Sequence, residues 1–241
     1  MSIAKQTSFL ANGYELACFL TGVTPEAEAE SLDATVLCNN YKSFVPGFKT
    51  GRLSAEGLFS SDTVNADEIH DVFSAAFASG AENIITASLG VIAVGEPAVM
   101  ATGPEIKYDI KTPLGQLITV MAEFQASNGV NFGRWLMNSQ LNAGTTNGTS
   151  HDNAAATTNG GVFHVHLQNN GATDVDVKLQ HSTDNSAWAD VSGGAVNNLS
   201  AVHAAGSVTV APGTTINRYT RAVAVVTGGN TVLVSAAFAR R

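Results

Sequence analysis

The sequence has few charged side chains, few aromatic side chains and almost no cysteine. Charged residues make up 13% of the 241 residues and aromatic residues 7%, whereas an average soluble domain carries roughly 25% charged residues. Two cysteines, Cys18 and Cys38, are too few for a disulfide framework. We expect them to be reduced and buried in a protein made in the cytosol, with a bridge between them only if their strands are neighbours.

Long apolar runs are also missing. No stretch approaches the roughly 20 apolar residues of a membrane span, so no membrane contact is expected. The first 19 residues contain one lysine and no unbroken apolar stretch, which predicts that there is no secretion signal. Glycine is abundant, with 23 residues, and Ala, Thr, Asn and Ser are frequent. This composition is typical of short strands and tight turns.

The net charge of −8 belongs to one part of the chain. Residues 1–150 contain seven basic and 15 acidic side chains, and residues 151–241 contain five of each. An acidic surface repels phosphate, so specific nucleic-acid binding is not expected. Solubility alone would also explain the acidity.

A polar, glycine-rich stretch divides the chain. Residues 141–162 read LNAGTTNGTSHDNAAATTNGGV, with one charged residue and no sustained periodicity, which is linker composition. We therefore predict a first domain over 1–145, a flexible linker over 146–161 and a C-terminal domain over 162–241.

The first domain carries alternating strand patterns. In EIKYDIK (105–111) the side chains of Ile106, Tyr108 and Ile110 are expected on one face, and LITVMAEFQ (117–125) alternates in the same way. The Pro-Leu-Gly at 113–115 predicts a hairpin turn between them. Further strands are predicted at 13–20, 33–38, 52–59, 84–94 and 132–138.

One helix is predicted near residues 66–79. The sequence NADEIHDVFSAAFASG begins with Asn65 as a cap and ends at Gly80. Five apolar residues recur at the spacing of one helical face: Ile69, Val72, Phe73, Ala76 and Phe77. An amphipathic helix alone among strands should lie across a sheet or close the mouth of a curled one.

The C-terminal domain is strand throughout by pattern. FHVHLQ and DVDVKLQ alternate, and three more strands follow residue 205, separated by Pro-Gly and Gly-Gly-Asn turns. This rhythm predicts a β-sandwich. The predicted fold class is therefore mostly β: an N-terminal β-sandwich or open barrel with one flanking helix, followed by a C-terminal β-sandwich.

Motifs of known chemistry are missing. There is no phosphate-binding loop, dinucleotide fingerprint, nucleophile elbow or C-x-x-C pair. His70 lies between acids on the polar side of the predicted helix, where a solvated histidine is the usual case. The spacing of His164 and His166 would let both imidazoles reach one metal, but no carboxylate or cysteine stands beside them, so we expect surface histidines. No enzyme, cofactor or metal is predicted.

Two readings of Trp188 stay open. It would serve either as a platform on which a sugar ring stacks or as a hydrophobic plug at the end of the sandwich. The sequences Asn-Gly-Thr at 147 and Asn-Leu-Ser at 198 match the glycosylation pattern, but without a secretion signal we expect chance matches.

The stretch DATVLCNNYKSFVPGFKTGRLSAEGLFSSD (33–62), with the acidic helix after it, resembles the tail tube (major tail) proteins of tailed bacteriophages. The resemblance consists of a D-x-T strand, a polar loop with a lysine, an F-x-P-G corner and a strand of the form S-x-x-G-x-F-x-x-D. The matching positions are Asp33, Thr35, Lys42, Phe44, Pro46, Gly47, Ser54, Gly57, Phe59 and Asp62. The N-R-Y-x-R and F-A-R-R motifs near the C-terminus are similar to the ends of phage structural proteins.

The resemblance implies a ring, usually a hexamer, that stacks into a tube for genomic DNA. Strands of neighbouring copies would join into one barrel, which removes exposed sheet edges, and an acidic lining would repel the phosphates of passing DNA. The implied partners are further copies, other tail proteins (tape measure, tail terminator, baseplate or tip) and DNA bound without specificity. The implied location is the virion tail, after assembly in the host cytoplasm.

The loop inside this stretch is the predicted contact between copies. Its candidate residues are Asn40, Tyr41, Lys42, Phe44, Val45 and Phe48, and an ordinary surface loop is the alternative. The C-terminal domain would project from the tube wall, with Trp188 as a weak glycan contact or with no binding role. Two other functions stay open: a free-standing carbohydrate-binding or adhesive protein, and a capsid decoration or spike protein.

Overall fold

A computed structural model describes residues 8–38, 40–62, 64, 66–172, 174–229 and 231–241. The chain is mostly β, with 60% of residues in strands and 5% in helix, and its main sheet curls into a half-barrel. The predicted fold class is thereby confirmed. Sixteen strands and one helix lie in the described part of the chain.

The first eight strands and the helix occupy the chain up to Leu141. They are β1 (Phe9–Ala11), β2 (Tyr14–Glu15), β3 (Leu20–Asp33), β4 (Phe44–Leu58), α1 (Ile69–Ser79), β5 (Glu82–Ser88), β6 (Pro97–Lys111), β7 (Thr119–Gln125) and β8 (Asn131–Leu141). The others are β9 (Gly144–Asn147), β10 (His151–Asp152), β11 (Gly161–Asn170), β12 (Asp174–Ser182), β13 (Ala189–Leu199), β14 (Ala204–Val210), β15 (Tyr219–Thr227) and β16 (Val232–Arg240).

Eleven strands form one sheet that turns a corner at β6. Its main path runs β14-β11-β16-β8-β6-β5-β1-β2, and β7, β4 and β3 branch from β6. Residues 98–104 of β6 pair with β5, and residues 105–111 pair with β7 around a bulge at Ile106. The branch folds over β5 and β1, and a core including Phe9, Leu53 and Phe124 fills the space between them.

The remaining five strands form a second sheet, in which β15 pairs with β9, β10 and β12, and β12 pairs with β13. It packs on the β14-β11-β16-β8 end of the large sheet, as a shared core shows. The core includes Phe163, Val177 and Phe238, and β8 adds Leu136 and Met137. The second half of the chain therefore forms a two-sheet sandwich that borrows a strand from the first half.

The range 146–161 differs from the predicted flexible linker. β9 and β10 both pair with β15, and Thr157 forms a bridge with Ile216. These pairings satisfy backbone groups that a free linker would leave to water. Backbone pairing also crosses the predicted boundary, because β8 is hydrogen-bonded to β16. The division into domains itself stays a prediction.

The helix is shorter than predicted at its N-terminus. It begins at Ile69 with Glu68 as the N-cap, and the Glu68 side chain makes no capping hydrogen bond. Asn65, the predicted cap, lies outside the described residues. Gly80 ends the helix in the left-handed conformation, with φ of 60°, as predicted. Four of the five expected residues are buried, and Phe77 is exposed.

Strand β3 was not expected from the sequence. Strands were predicted at 13–20 and 33–38, but the strand runs over Leu20–Asp33, and 34–38 is a turn region. Pro25 inside LTGVTPEAEAESLD argues against a central strand, and β3 is an edge strand, where proline is tolerated. Among the described residues it pairs only with β4.

A β-bulge reverses the predicted faces of Glu105 and Ile106, while Tyr108 and Ile110 share one face as predicted. The register shifts between Glu105 and Lys107, so Glu105 pairs with Phe124 and Tyr108 pairs with Ala122. Glu105 and Tyr108 therefore share the core face, and Ile106 points outward with 46% exposure. The turn at 113–115 does join β6 and β7 as a hairpin, as predicted.

The prediction of buried cysteines is wrong. Cys18 and Cys38 are both free and exposed. They lie at opposite ends of β3, whose 14 residues span about 43 Å at the usual rise of a strand. A disulfide needs Cα atoms within about 7 Å, so the two cysteines of one chain cannot be bridged.

Candidate assembly surfaces

Six of the ten residues that carry the resemblance, from Asp33 to Gly47, lie on a projecting hairpin. We call this hairpin, residues 27–38 and 40–50, the arm. β4 pairs with β7 only from Arg52 to Leu58, and β3 continues beside β4 to Asp33. Beyond that point the arm has no third strand, and nearly all its residues are exposed. The arm is thus a two-stranded ribbon that extends from the body of the protein.

Short polar contacts close the outer end of the arm. Asp33 Oδ1 accepts a hydrogen bond from the Thr35 N–H at 2.9 Å, and Thr35 Oγ1 accepts one from the Ser43 N–H at 2.9 Å. The hydrogen bonds from Thr35 lower the pKa of Asp33, and Lys42 Nζ lies 4.0 Å from Asp33 Oδ2. Asp33, Thr35 and Lys42 therefore shape the turn.

The candidate contact residues Asn40, Tyr41, Lys42, Phe44 and Val45 lie at this outer end, and Phe48 lies nearer the base of the arm. Tyr41 and Phe48 are 86% and 85% exposed. The other members, Asn40, Lys42, Phe44 and Val45, are exposed as well. Patches of exposed large apolar side chains are common at surfaces that bind other molecules.

The rest of the motif joins the arm to the body. A Cβ on Gly57 would lie 2.5 Å from the Phe19 carbonyl oxygen and 2.7 Å from Ile69 Cδ1, so only glycine lets the helix approach β4 here. Phe59 packs beside His70, with ring centroids 4.9 Å apart. The Asp62 N–H donates to Asp71 Oδ2 of the helix at 2.8 Å. These positions hold the helix against the base of the arm.

A cleft of about 910 Å³ opens beside the start of β3. Most of its lining is apolar, including Leu20, Val23 and Val99. Glu15 is the only charged residue in the lining, and Cys18 lies in the same wall. Burial raises the pKa of Glu15, although its Oε1 accepts hydrogen bonds from the N–H groups of Phe9 and Ala17, which lower it. The cleft was not predicted, because β3, which forms one wall, was not recognised.

Nine charged side chains of the first half gather on one face of the β3-β4-β7-β6 branch. Cross-strand pairs place six acids and three bases on the face turned away from the core: Glu26, Glu28, Glu30, Glu56, Asp109, Glu123, Arg52, Lys107 and Lys111. Lys107 Nζ lies 3.0 Å from Asp109 Oδ2 and 3.9 Å from Glu123 Oε1. The face, which we call the charged face, is net negative.

His164 and His166 are buried, which overturns the expectation of surface histidines. Their exposures are 1% and 0%, because the curled sheet brings β5 and β6 over β11. Thr86 Oγ1 lies 3.0 Å from His164 Nδ1 and 2.9 Å from His166 Nε2. Thr102 Oγ1 lies 3.1 Å from His164 Nε2. Thr86 on β5 and Thr102 on β6 thus provide the hydrogen-bond partners that water would provide to surface histidines.

The hydrogen bonds of this cluster run in one direction. The Gly13 N–H donates to His166 Nδ1 at 3.3 Å, so the neutral ring carries its proton on Nε2 and donates to Thr86. Thr86 can then donate to His164 Nδ1, and His164 Nε2 donates to Thr102. A Cβ on Gly13 would lie 2.6 Å from the Leu167 carbonyl oxygen, so glycine is required at this end.

Both histidines are held in the neutral form. Burial lowers the pKa of His164 to about 3, although a hydrogen bond to the Ile85 backbone raises it. Burial also lowers the pKa of His166 well below its usual value, and so does the neighbouring His164. No group of histidine, cysteine or acidic side chains in the described ranges could hold a metal ion.

Glu105 is a buried carboxyl group without a hydrogen-bond partner among the described residues. It is 5% exposed and pairs across the sheet with Phe124. Burial raises the pKa of Glu105 to about 8.

His70 differs from the solvated histidine that its place on the polar side of the helix predicts. It is half-buried, and its Nδ1 lies 2.6 Å from the Tyr108 hydroxyl oxygen.

Trp188 has one ring face covered. The Arg221 guanidinium carbon lies 4.2 Å from the ring centroid, and Arg221 Nη2 donates to Gln180 Oε1 at 2.8 Å. A cation over an indole face stabilises both groups. Stacking on a sugar stays a prediction, and it is restricted to the other face of the ring.

No protein-family model and no curated protein matches this sequence. The similar solved structures include phage tail, hub and baseplate proteins. A chain in the virion of a native gene transfer agent particle is 12% identical, with a TM-score of 0.43, and the match covers 55% of this chain and 98% of that chain. The SPP1 tail tube protein gives 8% identity and a TM-score of 0.45, over 55% and 78%. The SPP1 Dit protein, described as a hub adsorption apparatus of phages that infect Gram-positive bacteria, gives 11% and 0.38, over 97% and 99%.

No helix in the described part of the chain is long and apolar enough to cross a membrane.

Proposed function

We propose that this protein is a structural component of a phage virion, whose copies assemble into rings that stack as the tail tube. The observation that carries the proposal is the arm. It exposes large apolar side chains such as Tyr41 and Phe48 on a ribbon that has no core of its own. A two-stranded ribbon is marginal in water, and packing on an adjoining copy would stabilise it.

The free edge of β3 supports the same proposal. Among the described residues β3 pairs with β4 alone, so its other edge presents backbone N–H and C=O groups. Such an edge invites pairing with another chain. In a ring each edge would meet its neighbour, which satisfies these groups and excludes uncontrolled association. Hexameric rings are part of the proposal, as the sequence resemblance implies.

The charged face gives the tube its proposed lining. DNA that bound to lysines by counterion release would be held in place. A net negative face, on which Lys107 is already paired with Asp109, would repel phosphate and let DNA slide. The proposed partners are accordingly other copies, other tail proteins and DNA in passage, and the proposed location is the virion. A catalytic role is not part of the proposal.

Electron microscopy of the purified protein at high concentration tests the proposal. We expect rings or hollow rods for the wild type. Deletion of 40–46 should leave a folded protein that does not polymerise, because the deletion removes the tip of the arm and leaves the body intact. Leu114→Ser, which changes an exposed residue of the β6–β7 turn, is the matched control and should still form rods.

Two results would contradict the proposal. A wild-type protein that stays a monomer or dimer at high concentration would favour the free-standing adhesive alternative. Normal rods from the deletion variant would show that the tip of the arm makes no contact between copies.

A further inference from the structure

We propose that the tip of the arm of one copy docks in the cleft beside β3 of the next copy. The inference rests on the proposed self-assembly and adds which two surfaces meet. The occupant is a second copy of this chain, and the contact joins two different surfaces.

The lining of the cleft suits the tip of the arm. Apolar residues from three segments, among them Leu20, Ala87 and Ile92, form most of the walls. A volume of about 910 Å³ is at the upper end of the roughly 300–1,000 Å³ of ligand clefts. It accommodates several large side chains, and the tip offers Leu37, Tyr41 and Phe44, all exposed.

Charge is complementary between the two surfaces. The arm carries Lys42, which lies 4.0 Å from Asp33 Oδ2 of the same arm, and Lys49, which is the second lysine of residues 34–50. The single charged residue in the lining of the cleft is Glu15. An arriving lysine would favour the ionised carboxylate of Glu15, which burial in the free protein disfavours.

The wall of the cleft can also bind backbone. The cleft is lined by Thr21, Gly22 and Val23, which belong to the strand that pairs only with β4 among the described residues. A Cβ on Gly22 would meet no atom within 4 Å, so the space over the face of the strand is open at this residue. An extended segment from another copy can add to such an edge.

The arm cannot reach the cleft of its own chain. Both surfaces share β3, whose first residues line the cleft and whose last residues lie in the arm. The paired strand holds the tip about 40 Å from the cleft. The contact therefore has to be made between copies. Because it joins two different surfaces, it repeats from copy to copy and generates rings or filaments.

The two native cysteines provide the test. Cys38 lies at the tip of the arm and Cys18 in the wall of the cleft, and both are free. Assembled wild-type protein should give a ladder of covalent oligomers when treated with a short bismaleimide crosslinker. Peptide mass spectrometry should identify Cys18 joined to Cys38.

Cysteine variants provide the controls. Cys18→Ser and Cys38→Ser should each give no ladder, since each keeps only one of the two partners. A mixture of the two variants should give crosslinked dimers and nothing larger, because each copy carries only one thiol. Crosslinking that persists in one single variant would show that identical surfaces meet, and would overturn the proposal.

Microscopy of the same samples separates the two proposals. Rods or rings that give no Cys18–Cys38 product would overturn the docking of the arm and leave the proposed function standing. Protein that forms neither rods nor rings would overturn the proposed function itself. If a Glu15→Gln variant assembles as readily as the wild type, the negative charge of Glu15 does not contribute to the contact, and that part of the proposal is overturned.

Discussion

Glu105 shows how one shifted residue changes the chemistry of a strand. Strict alternation puts Glu105 on the same face as Lys107 and in water. The bulge at Ile106 turns Glu105 into the core instead, where neither carboxylate oxygen has a partner among the described residues. The sequence carries no signal for the bulge, because EIKYDIK alternates without interruption.

Replacing Glu105 with glutamine should stabilise the protein at high pH. Since the pKa of Glu105 is raised in the folded state, to about 8, the folded state binds more protons than the unfolded state above pH 4.5, and stability falls as pH rises. By pH 9 the loss should be roughly 3–5 kcal/mol in the wild type. Urea unfolding of unassembled protein at pH 5, 7 and 9 measures it.

Glu105→Gln should match the wild type at pH 5 and exceed it increasingly at higher pH. Glu56→Gln, on the charged face, is the matched control and should show no such trend. A difference between Glu105→Gln and the wild type that does not grow with pH would contradict the burial argument.

The buried histidines act in the opposite direction, toward acid. Their pKa values are lowered in the folded state, to about 3 for His164, so the unfolded state binds more protons below pH 6.5. Stability is therefore fully present above pH 6.5 and is lost as pH falls. Protonation of His166 would also add a proton to Nδ1, the atom that accepts the hydrogen bond from the Gly13 N–H. Two donors would then face each other.

At pH 4 the neutral, buried His164 alone should have lowered the free energy of unfolding by roughly 3 kcal/mol relative to neutral pH. The double variant His164→Gln/His166→Gln should be less stable at neutral pH but should lose less stability between pH 6.5 and pH 4 than the wild type. Thermal unfolding across this range, recorded by circular dichroism, checks the difference. Equal pH dependence in the two proteins would count against the cluster as the acid-sensitive site.

The elements of the fold follow from the sequence to different degrees. β7 was predicted almost at its observed bounds, because Val120, Ala122 and Phe124 alternate and are buried on one side. β3 was missed, because its exposed residues carry no apolar alternation and because it contains Pro25. A ribbon with both faces exposed to solvent lacks the alternation of apolar and polar residues on which strand prediction depends.

The charged face depends on how neighbouring strands are paired, and no single strand shows it. Glu26, Glu56 and Glu123 come from three strands, and only their pairing brings them to one side. The sequence shows that the first half of the chain is acidic, but not where the acids gather. The candidate contact residues of the arm were named from the sequence, and their role in a contact stays a prediction. The cleft has no such sequence signal, because it depends on contacts between distant segments.

Reversing one charge on this face should make the tube retain DNA. Glu28 is exposed on β3, so Glu28→Lys should not affect folding, but a tube would repeat the new lysine on every copy. Rods of Glu28→Lys assembled with short double-stranded DNA should retain it at about 50 mM salt and release it at about 200 mM. Co-sedimentation measures the retained DNA.

Glu96→Lys makes the same change of charge at an exposed position outside this face and serves as control. Its rods, like those of the wild type, should sediment without DNA. Equal retention by both variants would mean that overall charge decides, and that the charged face is not the lining.

The whole molecule is more continuous than its composition suggests. The polar stretch around residue 150 is typical of a linker, yet β8 pairs with β16 across it, and β9, inside the stretch, pairs with β15. The core beneath the second sheet includes Met137 from before that stretch and Val232 from after it. Composition cannot reveal such pairing, since Gly, Asn and Thr are as compatible with short edge strands as with coil.

The position of the arm and the cleft at opposite ends of one strand gives a column of copies a head and a tail. If each arm enters the cleft of the next copy, one terminus of the column presents unoccupied arms, and the other presents vacant clefts. A protein that caps the first terminus must offer an apolar recess with an acid, and one that caps the second must offer an aromatic, lysine-bearing finger. The two terminating proteins would then have to differ, and growth could be arrested at either end independently.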